Sequence, residues 1–171
     1  NEYNKNACLT YKENFPNTKL YEKDVNELLD SDFPQLVLEL NESEPSVKEL
    51  NLKKVDIVTS GFPCQAFSVA GYRQGFEDEK GRGNHFFSTA KVIELMQPKA
   101  FLLENVKNLA GHDKGNTIKV IQEIIFKLGY SYIQFCLNAK DYGNLPQTRE
   151  RIYIVGFRGE AGYENNESNK S

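Results

Sequence analysis

The chain has 171 residues, 39% hydrophobic and 26% charged, and its 21 basic against 24 acidic side chains leave a formal charge of -3. That length suits one domain with a sizeable core, and that balance argues against a free-standing module gripping phosphates by charge alone. No apolar run reaches the ~20 residues of a membrane helix, and the opening Asn1-Glu2-Tyr3-Asn4-Lys5-Asn6 is too polar for a signal peptide and lacks an initiating methionine, so the true start is expected upstream.

In chain order, Ala7, Tyr11 and Phe15 recur at four-residue steps behind Asn4, a good N-cap, and predict a helix from Asn4 to Phe15 that Pro16 ends. A short strand at Lys19 to Tyr21 and a turn or short helix at Val25 to Leu29 are expected next. Residues 31–53 read as a polar surface insertion with partial helix around Leu36, Val37, Leu38 and Leu40. Val55 to Thr59, Ala100 to Leu103 and Ile152 to Phe157 are short apolar runs bounded by polar residues or glycine, as central strands are.

Between them lie helical patterns. Phe86 to Met96 carries Phe87, Ala90, Ile93 and Leu95 and stops at Pro98; Thr117 to Leu128 carries Ile118, Ile121, Ile125 and Leu128 and stops at Gly129. A further strand is expected at Ser131 to Leu137, and residues 159–171 form a polar tail with nothing to bury. The alternation of strand and helix predicts an α/β fold built on an open sheet.

Three segments could carry chemistry. The strand at Val55 to Thr59 runs into Gly61-Phe62-Pro63-Cys64-Gln65, which sets a thiol just past the carboxyl end of a strand, the edge where open α/β sheets bind ligands. Pro63 fixes the approach to Cys64 and prevents a helical continuation. The strand at Ala100 to Leu103 ends in Glu104-Asn105-Val106, so a carboxyl sits at the same edge; a thiolate and a proton donor facing one pocket suit covalent catalysis with general-acid help. Arg149 and Arg151, two residues apart before the strand at Ile152, point to one side and can hold a phosphate or carbonyl oxygen, or else pair with Glu150.

Cys8, Cys64 and Cys136 are widely spaced, an odd set without Cys-x-x-Cys, which fits a reducing cytoplasm. His85 and His112 have no partner pattern for a metal and are expected to be structural or surface residues.

Together these residues resemble the cytosine-5 DNA methyltransferases of bacterial restriction-modification systems. Gly61 to Gln65 is similar to the family's nucleophile motif, Glu104-Asn105-Val106 to its Glu-Asn-Val motif, and Gln147 to Arg151 to its Gln-x-Arg-x-Arg motif, in matching order and spacing. The likeness runs over residues 1–158 and includes Gly75-Phe76-Glu77-Asp78 and Leu137 to Gly143. It implies a Rossmann-like S-adenosylmethionine-dependent methyltransferase sheet, mostly parallel with the strand at Ile152 to Phe157 reversed, and truncated at both ends.

The resemblance implies that Cys64 attacks carbon 6 of a flipped-out cytosine in double-stranded DNA and that Glu104 hydrogen-bonds ring N3 and the amino group. It sets Arg149 and Arg151 near the base and its backbone, and Gln65, Ser68 and Arg73 against DNA. For S-adenosyl-L-methionine it implies Glu2 on the ribose, Tyr3 on the adenine, Asp24 and Val25 at the adenine edge, and Phe62 and Pro63 as further contacts. It implies no metal and no membrane, and a monomer when complete.

The family's opening Asp-Leu-Phe with its glycine-rich turn, its last two motifs and its target-recognition domain are not in the chain, so this piece alone is expected to be inactive. Residues 31–54 are longer than the family's usual segment, and Glu79-Lys80 reads as a small insertion. Among other readings, a transfer-RNA cytosine methyltransferase would carry Pro-Pro-Cys-Gln, against which Phe62 counts. A catalytically silent DNA-binding module has no chemical need for Cys64, Glu104 and Arg151 together. A thiol redox protein would need a resolving cysteine near Cys64.

Overall fold

The computed structural model describes residues 1–31, 55–63 and 85–159. The expected insertion at 31–54, the Glu79-Lys80 segment and the polar tail lie, apart from Ser31 and Gly159, outside the described residues.

Helix α1 spans Lys5–Asn14, and Asn4 caps it as its residue type predicts, its side chain accepting from the backbone of Asn6 and Ala7. The inward residue is Cys8, whereas Tyr11 and Phe15 are exposed, so the four-residue apolar series marks an outer face rather than the core side. Residues 19–21 form no strand; the backbone N–H of Glu2 donates to Tyr21 O at 3.0 Å, which lays the two segments side by side. Helix α2, Val25–Ser31, follows and buries Leu28.

Four strands make one mixed sheet: β1 Ile57–Ser60, β2 Ala100–Val106, β3 Ile133–Asn138 and β4 Glu150–Phe157, in the order β1-β2-β4-β3. β1 and β2 are parallel, while β4 is antiparallel to both β2 and β3. The reversed β4 matches expectation, but its place between β2 and β3 leaves one parallel pairing among the described strands rather than a mostly parallel sheet.

Helix α3, His85–Met96, and helix α4, Asn116–Lys127, supply residues to the main core. α3 is buried on two sides: Phe86, Ala90 and Ile93 join the main core, and Met96, Val92 and Leu95 meet Leu28 of α2 in a second cluster. That is wider than the single expected stripe. The buried side of α4 is Thr117, Val120, Ile121, Ile124 and Ile125, one step round from the predicted stripe, and Ile118 and Leu128 lie at its margin. α4 stops where expected because Gly129 takes φ +83°, which lets Gly129 and Tyr130 N–H return to Phe126 O and Ile125 O.

A 3-10 segment, Lys107–Gly115, joins β2 to α4, with left-handed backbone at Asp113 and Lys114. His112 has a structural role here: its ring Nδ1 is 2.7 Å from the hydroxyl of the fully buried Thr117. A short helix α5, Ala139–Tyr142, links β3 to β4.

The alternation of β-strand side chains divides the sheet. Phe101 and Leu103 of β2 and Ile152 and Ile154 of β4 enter the core. By register, Ile57, Leu102, Val106, Ile133, Phe135 and Phe157 lie on the opposite face, and all six are exposed.

Candidate active site

The carboxyl ends of β1 and β2 and the start of β4 meet at one edge of the sheet, because β4 runs the other way. β1 delivers Gly61-Phe62-Pro63 to that edge. Phe62 is buried, its ring centroid 5.5 Å from that of Phe86 on α3, which anchors the segment in the core. Ser60 adds a hydroxyl contact of 2.9 Å to Thr89 on the same helix. Cys64, Gln65, Ser68 and Arg73 lie outside the described residues.

Glu104 stands within β2 rather than after it, since the strand continues to Val106. A Cβ built on Gly61 would lie 3.6 Å from Glu104 Oε2, so the carboxylate adjoins the segment that leads to Cys64. Its other oxygen, Oε1, is 3.0 Å from Arg151 Nε and 4.0 Å from an Nη of Arg149. Both arginines therefore lie on one side, as their spacing predicts, and the group they face there is Glu104. Arg151 also donates to Glu150 O at 2.8 Å, whereas the Glu150 carboxylate pairs with Lys107 at 2.7 Å. Pairing of the arginines with Glu150 is thus replaced by pairing with Glu104. The hydrogen bond and charge of Glu150 push the Lys107 ammonium above its ordinary pKa.

Arg149 is fixed through its backbone: its N–H donates to the Asn138 side chain at 3.1 Å, and its carbonyl accepts from Ala139 N at 3.0 Å. Asn105, named in the sequence only as the middle of the Glu104-Asn105-Val106 motif, has a partner of its own. This residue is 4% exposed and donates from Nδ2 to Phe62 O at 2.7 Å. The available signal was its place beside Glu104 in a strand, where neighbouring side chains take opposite faces.

The residues expected around a cofactor form a second group. Asn1 donates to Lys23 O at 2.9 Å and Glu2 to Tyr21 O, so residues 1–3 run along residues 21–24. Glu2 Oε1 accepts from the backbone of Tyr3 and Asn4, and Tyr3 is 68% exposed beside it. Asp24 accepts from Asn26 N at 2.8 Å at the start of α2, next to Val25, and Asn26 in turn accepts from Ser88 of α3 at 2.6 Å. Phe62 and Ser88 thus tie both groups to the first turns of α3. With its ring buried, Phe62 can offer a ligand little beyond its backbone, and Pro63 is exposed.

Among the described residues, no group of three or more His, Cys, Asp or Glu could hold a metal ion, and no helix is long and apolar enough to cross a membrane.

Known proteins share both sequence and fold with this chain. It is 49% identical over 165 residues to the type II methyltransferase M.Bsp6I of Bacillus sp. (strain RFL6), covering 96% of the chain and 46% of that protein. It is 43% identical over 139 residues to M.HhaI of Haemophilus parahaemolyticus, covering 78% and 42%. The chain thus spans less than half the length of these curated relatives. Among solved structures, a DNMT2 mutant of Spodoptera frugiperda superposes with a TM-score of 0.59 at 22% identity, covering 98% of this chain and 44% of that one, a likeness of fold. The family described as C-5 cytosine-specific DNA methylase matches residues 1–171, and the chain belongs to that family.

Proposed function

We propose that the protein carrying this chain transfers a methyl group from S-adenosylmethionine to carbon 5 of cytosine in double-stranded DNA, as the modification enzyme of a restriction-modification system. The observation that carries the reading is the placement of Glu104 between Arg151 and the segment leading to Cys64.

The donor set suits the cofactor. Glu2 keeps one carboxylate oxygen beyond its backbone bonds for ribose hydroxyls, Tyr3 offers an open ring for adenine, and Asp24 with Val25 lies alongside. S-adenosylmethionine, when bound, supplies an electrophilic methyl group.

The chain's own residues must make carbon 5 of cytosine a nucleophile, which the aromatic ring resists. In this reading the base leaves the duplex stack, at a cost of a few kcal/mol met by contacts in the pocket. The Cys64 thiolate bonds to carbon 6, and the electrons of the 5,6 double bond move to carbon 5 and toward N3. Glu104 stabilises N3 by hydrogen bonding, and Arg151 holds the carboxyl in place. Carbon 5 takes the methyl group and then loses its proton to a base. The carbon–sulfur bond breaks, the thiolate departs and the double bond returns. The net change replaces hydrogen by methyl, breaks the methyl–sulfur bond with its electron pair left on sulfur, and releases one proton and the thioether S-adenosylhomocysteine.

The test uses the intact protein with S-adenosylmethionine and duplexes carrying 5-fluorocytosine. Wild type should become covalently attached, because fluorine cannot leave as a proton does. Cys64→Ser should bind DNA but neither methylate nor attach, since a hydroxyl is a far weaker nucleophile near neutral pH. An adduct on Cys8 or Cys136, or methylation by Cys64→Ser at the wild-type rate, refutes Cys64 as nucleophile. Methylation of transfer RNA in place of duplex DNA refutes the substrate.

A further inference from the structure

We infer that Asn105 is a positioning residue for this reaction, setting the Phe62-Pro63 peptide against the strand that carries Glu104; the inference rests on the function proposed above.

Asn105 sits at 4% exposure in a β2 stretch whose inward neighbour is Leu103 and whose register partner is Ile152, both buried. An amide among apolar side chains costs stability unless its polar atoms are paired. Nδ2 donates to Phe62 O at 2.7 Å, and Oδ1 accepts from Val106 N at 2.8 Å. The second bond fixes the amide plane on β2, and the first reaches across to the segment after β1.

The accepting carbonyl belongs to the peptide before Pro63. That peptide is planar, and the proline ring fixes the next φ, so orienting the carbonyl orients the chain as it heads into Cys64. Pro63 has no N–H to anchor the segment itself. Asn105 supplies the restraint from one sheet face, while Glu104 adjoins Gly61 from the other. The dipeptide Glu104-Asn105 thereby couples the proton-handling carboxyl to the backbone preceding the nucleophile, and small displacements between reacting groups cost large factors in rate.

The experiment measures, in the intact protein saturated with S-adenosylmethionine, the rate of covalent attachment to 5-fluorocytosine duplex per DNA-bound enzyme. Duplex affinity and melting temperature are measured alongside. Asn105→Ala should attach roughly 10- to 100-fold more slowly, with affinity within about threefold of wild type. Asn105→Asp keeps the shape and an acceptor for Val106 N, and guards against a folding defect in the alanine variant. Its ionised carboxylate cannot donate to Phe62 O, but the protonated acid can. Its rate relative to wild type should therefore be low at pH ~8 and rise toward pH ~6, a recovery that a purely structural role would not give.

Wild-type attachment rates per bound enzyme in both variants overturn the inference alone. So does a loss that only follows weaker binding, or an Asn105→Asp ratio flat with pH. Failure of wild type to attach at Cys64 removes the proposed reaction and this inference with it.

Discussion

Arg151 Nε lies 3.0 Å from Glu104 Oε1 although their strands run in opposite directions. The register partner of Arg151 is Val106, two residues beyond Glu104, so the pair is a diagonal contact on one sheet face. Arg151 is the less exposed partner, at 21% against 35% for Glu104.

Among the described residues, Arg151→Ala leaves Glu104 only the looser approach of Arg149. Methylation at saturating DNA should fall by roughly 100-fold, as for loss of acid–base assistance. Arg151→Lys should restore only part of it, since an ammonium lacks the planar fork. Glu104→Gln should lose at least as much while still binding duplex. Single-turnover methylation beside a DNA-binding titration checks this, and wild-type rates in all three variants would show that the ion pair serves only the fold.

Gly156 faces Phe101 across β2 and β4, and an added Cβ would collide with the Phe101 ring and the Ser131 carbonyl. Phe101 is buried against Tyr130, with ring centroids 5.4 Å apart, so it has little room to yield. Gly156→Ala should cost about 1–3 kcal/mol through overpacking. Thermal unfolding should show a melting point several degrees lower, and an unchanged one would contradict the packing.

Burial pushes the Tyr132 phenol up to about 12, and that of Tyr130, which donates to Pro98 O at 2.7 Å, is raised for the same reason. Both phenols should ionise late in an alkaline absorbance titration. A phenol raised in the folded state contributes stability that is whole below the unfolded value of ~10. That contribution is lost as pH climbs through about 12. Tyr132→Phe should flatten the decline in stability across that window, and an unaltered slope would assign it to other groups.

The exposed face bearing Ile57, Leu102, Val106, Ile133, Phe135 and Phe157 should bind a hydrophobic reporter dye when the 171-residue chain is prepared alone. This surface extends across all four strands of the sheet. Leu102→Lys with Phe135→Lys should suppress the signal without altering the far-ultraviolet spectrum. A signal no stronger than that of a compact complete domain would show the face to be covered.

Strand runs such as Ala100 to Leu103 and Ile152 to Phe157 were legible because central strands are short and apolar on both sides of their alternation. Helix faces were less so. Thr117 is buried with its hydroxyl bonded to His112, a contact that no hydrophobic pattern records, and Tyr11 and Phe15 keep helical spacing while pointing outward. The Glu104 and Arg149/Arg151 segments stood out as charges beside strands. Their mutual pairing depends on β4 entering between β2 and β3, an ordering that periodicity does not encode and that arose from family resemblance only in part. Asn105 stayed hidden because an amide at a strand end reads as a terminator until its partner across the sheet is known.

The reversal of β4 also sets its two ends at opposite edges of the sheet. The strand enters beside Glu104 and leaves through Phe157, next to Ala100 at the start of β2 and so at the far end of the sheet from Val106. Arg158 and Gly159 then bond to Lys99 O and Gly129 O at that far end, so the backbone there can be altered without moving the strand ends that hold Glu104 and Arg151.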